Sequence, residues 1–371
     1  MASLAASSDG QVGTTWATLN ARVRSRRPQS FESLGSQPYR EVPSEEILQQ
    51  EILELRKPYE GLTPADVRDF QTRRYLRLRN VLPPGLLSAA RERIIRMATK
   101  ATGGRNVSLP AKTPRQSNGT ADDTERWWNE VSEPTTRSWN IQMMWAVDPV
   151  VRAIVLSPRI GDIVCKLLDC DNVRMYHDNF LSRVPGSKRT LWHCDDGPNG
   201  YMALSGRKVV TVWFPLHRTT PENGALVFPR SDDEEKVANG EVRGVAKRSL
   251  DSWDVAKLDG CPKEEQSDEY DEFCASALES SGARPDTWTY ELGDLSIHAT
   301  DCFHSAGPNL SGNVRNIIAA TYFSDKTTMR TDKCLETMSK GQLCDWKKFA
   351  PGVQPGEEVC TKFNPVLPHS P

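Results

Sequence analysis

The sequence predicts an α+β, mainly β fold: a jelly-roll or β-barrel core flanked by helices that precede it in the chain. Three observations carry this prediction. Helical apolar spacing is confined to the first half, between residues 44 and 168. From residue 173 onward the texture changes to short β-like runs, and turn residues such as Pro198-Asn199-Gly200 divide them. No internal repeat is visible.

Taken in order, residues 1–43 have no sustained apolar period and read as a tail. Within 1–31 a single acid, Asp9, stands against Arg22, Arg24, Arg26 and Arg27 among many Ser, Thr and Ala. Organellar transit peptides and disordered tails share that composition, and the tail reading is adopted, with a cytoplasmic address. In 44–56, Ile47, Leu48, Ile52 and Leu55 share one face behind a Ser44 cap, which predicts a helix. Thr63-Pro64 supplies the cap and first-turn proline of a second helix, leading into Arg74–Asn80, which alternates like a strand. Pro83-Pro84 breaks the chain, and 85–99 is helical again. The stretch 103–137 is rich in Gly, Pro, Ser, Asn and charge, and is a candidate lid. Residues 148–168 predict one amphipathic helix that buries Val150, Ile154, Ile160 and Ile163. Strands are predicted at 173–183, 208–216, 224–229, 287–298 and 315–324. The acidic stretch 231–286 reads as a surface insert with one or two short helices. The expected organisation is a tail (1–43), one catalytic domain (44–325) carrying that insert, and a C-terminal extension (326–371).

Composition narrows the function. With 371 residues, 37% hydrophobic content and a net charge of −2, the chain describes a soluble globular protein. A near-zero charge argues against a nucleic-acid binder, and no apolar run approaches the roughly 20 residues of a membrane span. The expected partner is a small-molecule substrate. Nine cysteines, an odd number without a CxxC pair, read as reduced thiols.

Six histidines can be weighed singly. His193 and Asp195 form an H-x-D, and in extended chain residues two apart point to one side, so both can face one ion. With a further imidazole they would make the facial triad of non-haem iron(II) oxygenases, which leaves coordination positions open. Alone, H-x-D is as readily a surface pair. Downstream, Gly293 through His304 reads as a strand, Gly307-Pro308-Asn309 and Ser311-Gly312-Asn313 are turn chemistry, and Arg315 returns beside His304. The planar fork of Arg315 suits a carboxylate, although a surface ion pair would also explain it. His298 shares a strand face with His304 but reads as a core residue or a neighbour of the site. His177, beside Asp178, reads as a strand residue, and His217 and His369 are poor candidates. Cys194 should point away from its two neighbours. Arg174, Arg183, Lys188 and Arg189 around the H-x-D, with Arg137 in the candidate lid, suggest an anionic substrate.

These segments together resemble the phytanoyl-CoA dioxygenase family, a branch of the double-stranded β-helix, cupin-like oxygenases. The resemblance runs from about residue 61 to 325. It takes in Asp66–Phe70, Val173–Asp178, Val184-Pro185-Gly186, Trp192-His193-Cys194-Asp195, Thr211–Leu216, Thr220–Leu226 and Gly293 through His304 to Arg315, all in the family's order. It implies an enzyme that uses iron(II), 2-oxoglutarate and dioxygen, with His193, Asp195 and His304 as metal ligands and Arg315 as the 2-oxoglutarate anchor. Thr190 and Trp213 match positions that line the cosubstrate pocket in similar proteins. The implied reaction oxidises an unactivated C–H bond, by hydroxylation, oxidative cyclisation or desaturation, and releases succinate and carbon dioxide. Where many relatives carry Pro-Gly-Ser-His, this chain has Phe228-Pro229-Arg230-Ser231-Asp232, and Leu226 replaces a polar residue. The carboxylate at Asp195 disfavours halogenation, because related halogenases have a small residue there. Two other readings stay open: a catalytically silent barrel that binds a ligand, and a cupin-like metalloprotein independent of 2-oxoglutarate.

Overall fold

Capping chemistry sets the first elements. The computed structural model describes residues 42–102, 138–185, 187, 189–196, 202–206, 208–231, 233, 263–331 and 346–368. Ser44 Oγ accepts the Ile47 N–H and starts α1 (Glu45–Glu54). Leu48 and Leu55 are buried as expected, whereas Ile47 is 45% exposed. Thr63 and Asp66 form a reciprocal capping box on α2 (Pro64–Arg73). Arg74, at φ 69°, turns the chain into β1 (Tyr75–Leu78), and α3 (Pro84–Thr102) follows the double proline. The candidate lid and residues 1–41, with Arg22 to Arg27, lie outside the described residues.

β2 (Ser138–Gln142) and α4 (Met144–Val147) come next. The single helix expected over 148–168 is two, α5 (Pro149–Val155) and α6 (Pro158–Leu168). Pro158 has no N–H to continue a helix, and extended Ser157 accepts the Ile160 N–H to cap a new one. Val150, Ile154, Ile160 and Ile163 are nonetheless all buried.

Nine further elements, with a short 3-10 turn at Pro221–Asn223, complete the described chain: β3 (Val173–Arg183), β4 (Thr190–His193), β5 (Val209–Pro215), β6 (Leu226–Arg230), α7 (Lys263–Ser280), β7 (Arg284–Thr287), β8 (Leu295–Ala299), β9 (His304–Ala306) and β10 (Arg315–Ser324). They build a six-stranded sheet in the order β1-β8-β5-β10-β3-β2 and a four-stranded sheet in the order β4-β9-β6-β7, with antiparallel pairing throughout. The run 287–298, expected as one strand, divides between the sheets. Gly293, at φ 111°, makes the crossing; its carbonyl accepts the Val81 and Leu82 N–H groups, and a Cβ there would lie 2.8 Å from Leu82 O.

Strand alternation sorts the core from the site. β5 turns Val210, Val212 and Phe214 into the main apolar core with Leu86, Ile154 and Leu167 of the helices, and turns Thr211 and Trp213 into a cavity between the sheets. The insert is more than a surface excursion. Its helix α7 is 18 residues long, not short, and Tyr270, Cys274 and Leu278 pack one face against Trp192, Val227 and Phe303 of the smaller sheet region. Acidic residues crowd its first half and hide that period in the sequence. The C-terminal segment is tied to β3: Asn364 Nδ2 donates to Met175 O and Phe349 O. Among the described residues no helix is long and apolar enough to cross a membrane.

Candidate active site

β4 and β9 pair with His193 opposite His304, so two imidazoles meet with ring centroids 4.3 Å apart. The preceding residues, Trp192 and Phe303, stack on each other at 5.1 Å, and the Tyr270 hydroxyl of α7 donates to Trp192 O. This packing holds both histidine-bearing segments from the side opposite the cavity. Asp195 brings Oδ1 to 3.6 Å from His193 Nε2, and one ligand atom each of His193, Asp195 and His304 falls within 4.8 Å of the others.

Protonation is fixed by neighbours. His193 Nδ1 lies 2.7 Å from Leu191 O and His304 Nδ1 lies 3.0 Å from Cys302 O. A carbonyl can only accept, so each Nδ1 carries the proton and each Nε2 lone pair is left for a cation. Burial, with His298 and His193 nearby, holds His304 well below the usual imidazole range and keeps it neutral. Burial alone would push the Asp195 carboxyl up, but the adjacent imidazole of His298 and those of His304 and His193 outweigh it and keep Asp195 ionised. Thr211 donates to Asp195 Oδ2 at 3.0 Å, and His298 Nε2 stands 3.6 Å from the same oxygen. Two imidazoles with Nε2 turned to one anion on one side of a cavity fit a divalent iron with open positions.

The cavity measures about 320 Å³, and both sheets line it. Thr190, Trp213 and Arg315, singled out in the sequence, all line it together with the triad. Arg315 is 2% exposed; its Nη1 donates to Gly224 O at 2.7 Å, its guanidinium sits 6.0 Å from the Trp213 ring, and its Nε is buried without a partner. A buried guanidinium that lines a cavity and is not fully hydrogen-bonded fits an anionic ligand. Gly224 can hold its carbonyl there because it adopts φ 96°; a Cβ would lie 2.9 Å from Gly307 O.

The remaining sequence candidates separate. His298 is buried with its ring 4.2 Å from that of His304, beside the triad. His217 Nε2 accepts the Asn316 N–H at 2.8 Å, so it supports the strand start next to Arg315. Cys194 faces away from the cavity, toward the Trp192 cluster. Arg174 pairs with Asp325 at 2.6 Å, away from the cavity, and Arg189 is not in its lining; Arg137, Lys188 and His369 lie outside the described residues. Thr211, Asn140 and Asn179 line the cavity and were not singled out, because only strand register brings them there.

Comparison with known proteins agrees with this geometry. The family model for phytanoyl-CoA dioxygenase (PhyH) matches residues 70–317, about two thirds of the chain. Among solved structures, the non-haem α-ketoglutarate-dependent carbocyclase SnoK from nogalamycin biosynthesis superposes with a TM-score of 0.52 at 18% identity, covering 84% of this chain and 99% of that one. The epimerase SnoN from the same biosynthesis gives 0.52 at 15% identity, with 82% and 99% covered. SnoN in complex with Fe3+, α-ketoglutarate and nogalamycin RO gives 0.50 at 16% identity, with 82% and 100% covered. No curated protein matches the chain in sequence. The jelly-roll architecture is thus shared with these structures, and the family match carries the chemistry: this chain belongs to the phytanoyl-CoA dioxygenase family and is a non-haem iron, 2-oxoglutarate-dependent dioxygenase.

Proposed function

We propose that this enzyme oxidises an unactivated C–H bond of a small polar metabolite, with iron held by His193, Asp195 and His304 and the distal carboxylate of 2-oxoglutarate by Arg315. The observation that carries this reading is a three-ligand cluster sharing one cavity with a buried arginine whose Nε has no partner. Iron(II) and 2-oxoglutarate, when bound, supply the oxidising chemistry: dioxygen is reduced as 2-oxoglutarate loses carbon dioxide to give succinate, and a substrate C–H bond is oxidised. The protein's part is placement. Thr211 and His298 hold the Asp195 carboxylate, the two Nδ1–H···O=C contacts aim the imidazoles, and Trp213 packs beside Arg315. Leu181, Leu226 and Ala319 give the same cavity apolar wall.

The substrate reading rests on the same lining. Asn140 Oδ1 and Asn179 Oδ1 are buried there without partners, so a substrate offering O–H or N–H donors would complete them. Of the basic residues behind the anionic substrate suggested by the sequence, Arg183 lines the cavity, Arg174 is engaged by Asp325 and Arg189 is not in the lining, while Arg137 and Lys188 lie outside the described residues. A metabolite of the natural-product kind is in keeping with the two neighbours from nogalamycin biosynthesis. Hydroxylation, desaturation and cyclisation all begin with the same C–H oxidation. The test is succinate release from 2-oxoglutarate with iron(II) and oxygen across a panel of polar metabolites. A substrate that raises succinate release in the wild type but not in Asp195→Ala supports the reading; silence from metal-replete protein across the panel, with no basal turnover, favours a silent barrel.

A further inference from the structure

We infer that Arg183 is a second anchor for the distal carboxylate of 2-oxoglutarate, working beside Arg315 and through the Thr190 hydroxyl. The inference rests on the assignment of Arg315 above. β3 and β10 pair with Arg183 directly opposite Arg315, and the alternation of β3 sends Asn179, Leu181 and Arg183 into the cavity that Arg315 lines. Two arginines therefore enter the site from directly opposite positions on neighbouring strands. Among the described residues that line the cavity the carboxylate is that of Asp195, which Thr211 and the imidazoles engage at the metal end. A carboxylate lying between the two forks would be attracted by both charges and could accept from both guanidinium groups. The charge balance agrees: burial and the Arg183 charge push Arg315 well below the usual guanidinium range, and burial lowers Arg183 to about 10.

Thr190 links the second guanidinium to the site. Arg183 Nη2 donates to Thr190 Oγ1, and Ser305 Oγ donates to the Thr190 carbonyl from β9, so the hydroxyl is held at the cavity wall. With an oxygen lone pair occupied by Arg183, the hydroxyl proton is free to point at an acceptor in the cavity. A carboxylate there would receive two guanidinium forks and one O–H. The competing role, an anchor for an anionic group on the substrate, predicts no effect on cosubstrate binding when substrate is absent.

The experiment is anaerobic calorimetric titration of the full chain loaded with iron(II), without substrate, using 2-oxoglutarate and 2-oxopentanoate. The second acid has the same carbon chain and chelating end but no distal carboxylate. Wild type should bind 2-oxoglutarate more tightly. Arg183→Met should raise the Kd for 2-oxoglutarate about ten-fold or more and leave that for 2-oxopentanoate unchanged. Arg183→Lys, which keeps the charge but loses the fork, should give a smaller rise, again confined to 2-oxoglutarate, and decides the matter if the Met variant does not fold. An unchanged Kd for 2-oxoglutarate, or equal weakening of both acids, overturns the inference and leaves the Arg315 assignment standing. If wild type itself fails to discriminate between the two acids, the Arg315 assignment falls and Arg183 with it.

Discussion

His193 and His304 can offer their Nε2 atoms to a metal because backbone carbonyls hold their Nδ1 protons, Asp195 stays charged because the imidazoles of His298, His304 and His193 offset its burial, and Thr211 holds its Oδ2. Removing one of these supports should be felt at the metal. Thr211→Val keeps the shape but loses the bond to Asp195 Oδ2, and iron(II) affinity should fall roughly ten-fold or more, read by anaerobic metal titration. On the cosubstrate side, Gly224 supplies the carbonyl that fixes Arg315 from a backbone conformation suited to glycine. Gly224→Ala should destabilise the fold by about 1–3 kcal/mol and raise the KM for 2-oxoglutarate more than it lowers kcat, measured by urea unfolding and succinate release. An unchanged KM would show that Arg315 does not depend on that carbonyl.

The turn between β9 and β10 brings His304 and Arg315 into one cavity, and Asn309 organises it. Its Nδ2 donates to Arg183 O and Asn313 O, its Oδ1 accepts from Ser311, and its N–H donates to Ser187 O. Asn309→Ala leaves several partly buried groups unmet and should cost about 1–3 kcal/mol, seen as a lower urea midpoint, with weaker 2-oxoglutarate binding at temperatures where the protein is folded. This turn was legible in the sequence, since Gly307-Pro308-Asn309 and Ser311-Gly312-Asn313 announce it. So were β3 and β10, whose bounds match the predicted 173–183 and 315–324. Other elements were hidden for identifiable reasons. A capped proline inside an apolar period splits α5 from α6, a glycine crossing splits β7 from β8, and β9 is three residues long, too short for any period. At the site, the parity of His193 and Asp195 could be read along the chain. Thr211 could not, and Arg183 could be read only as one of a basic cluster near the H-x-D, because the placing of each depends on which strands pair and in what register.

At the scale of the molecule, two buried groups set opposing pH dependences. Burial lowers His217 to about 4 from an ordinary 6.5, as its acceptor role toward the Asn316 N–H requires. Its contribution to stability is full above about pH 6.5 and is lost as the pH falls toward 4, because the unfolded chain takes up the proton first. Burial raises Asp178 to about 7 from 3.8, against the hydrogen bond its Oδ2 accepts from the Trp145 N–H. Its contribution is full below about 3.8 and is lost as the pH rises through 7, because the unfolded chain ionises first. Asp178→Asn keeps an acceptor for Trp145 and removes that loss. Its urea midpoint relative to wild type should climb between pH 5 and pH 8, by an equivalent of roughly 1–3 kcal/mol. A constant difference across that range would mean that Asp178 is not held neutral. The central claim, that one cavity binds iron through His193, Asp195 and His304 and 2-oxoglutarate through Arg315, is tested most directly by anaerobic titration of the wild type with iron(II) and 2-oxoglutarate. The two should produce the visible charge-transfer band of a 2-oxo acid chelated to iron(II), lost in His304→Ala and strongly weakened in Arg315→Ala. A metal-replete wild type without the band, or one whose band survives His304→Ala unchanged, would contradict the account.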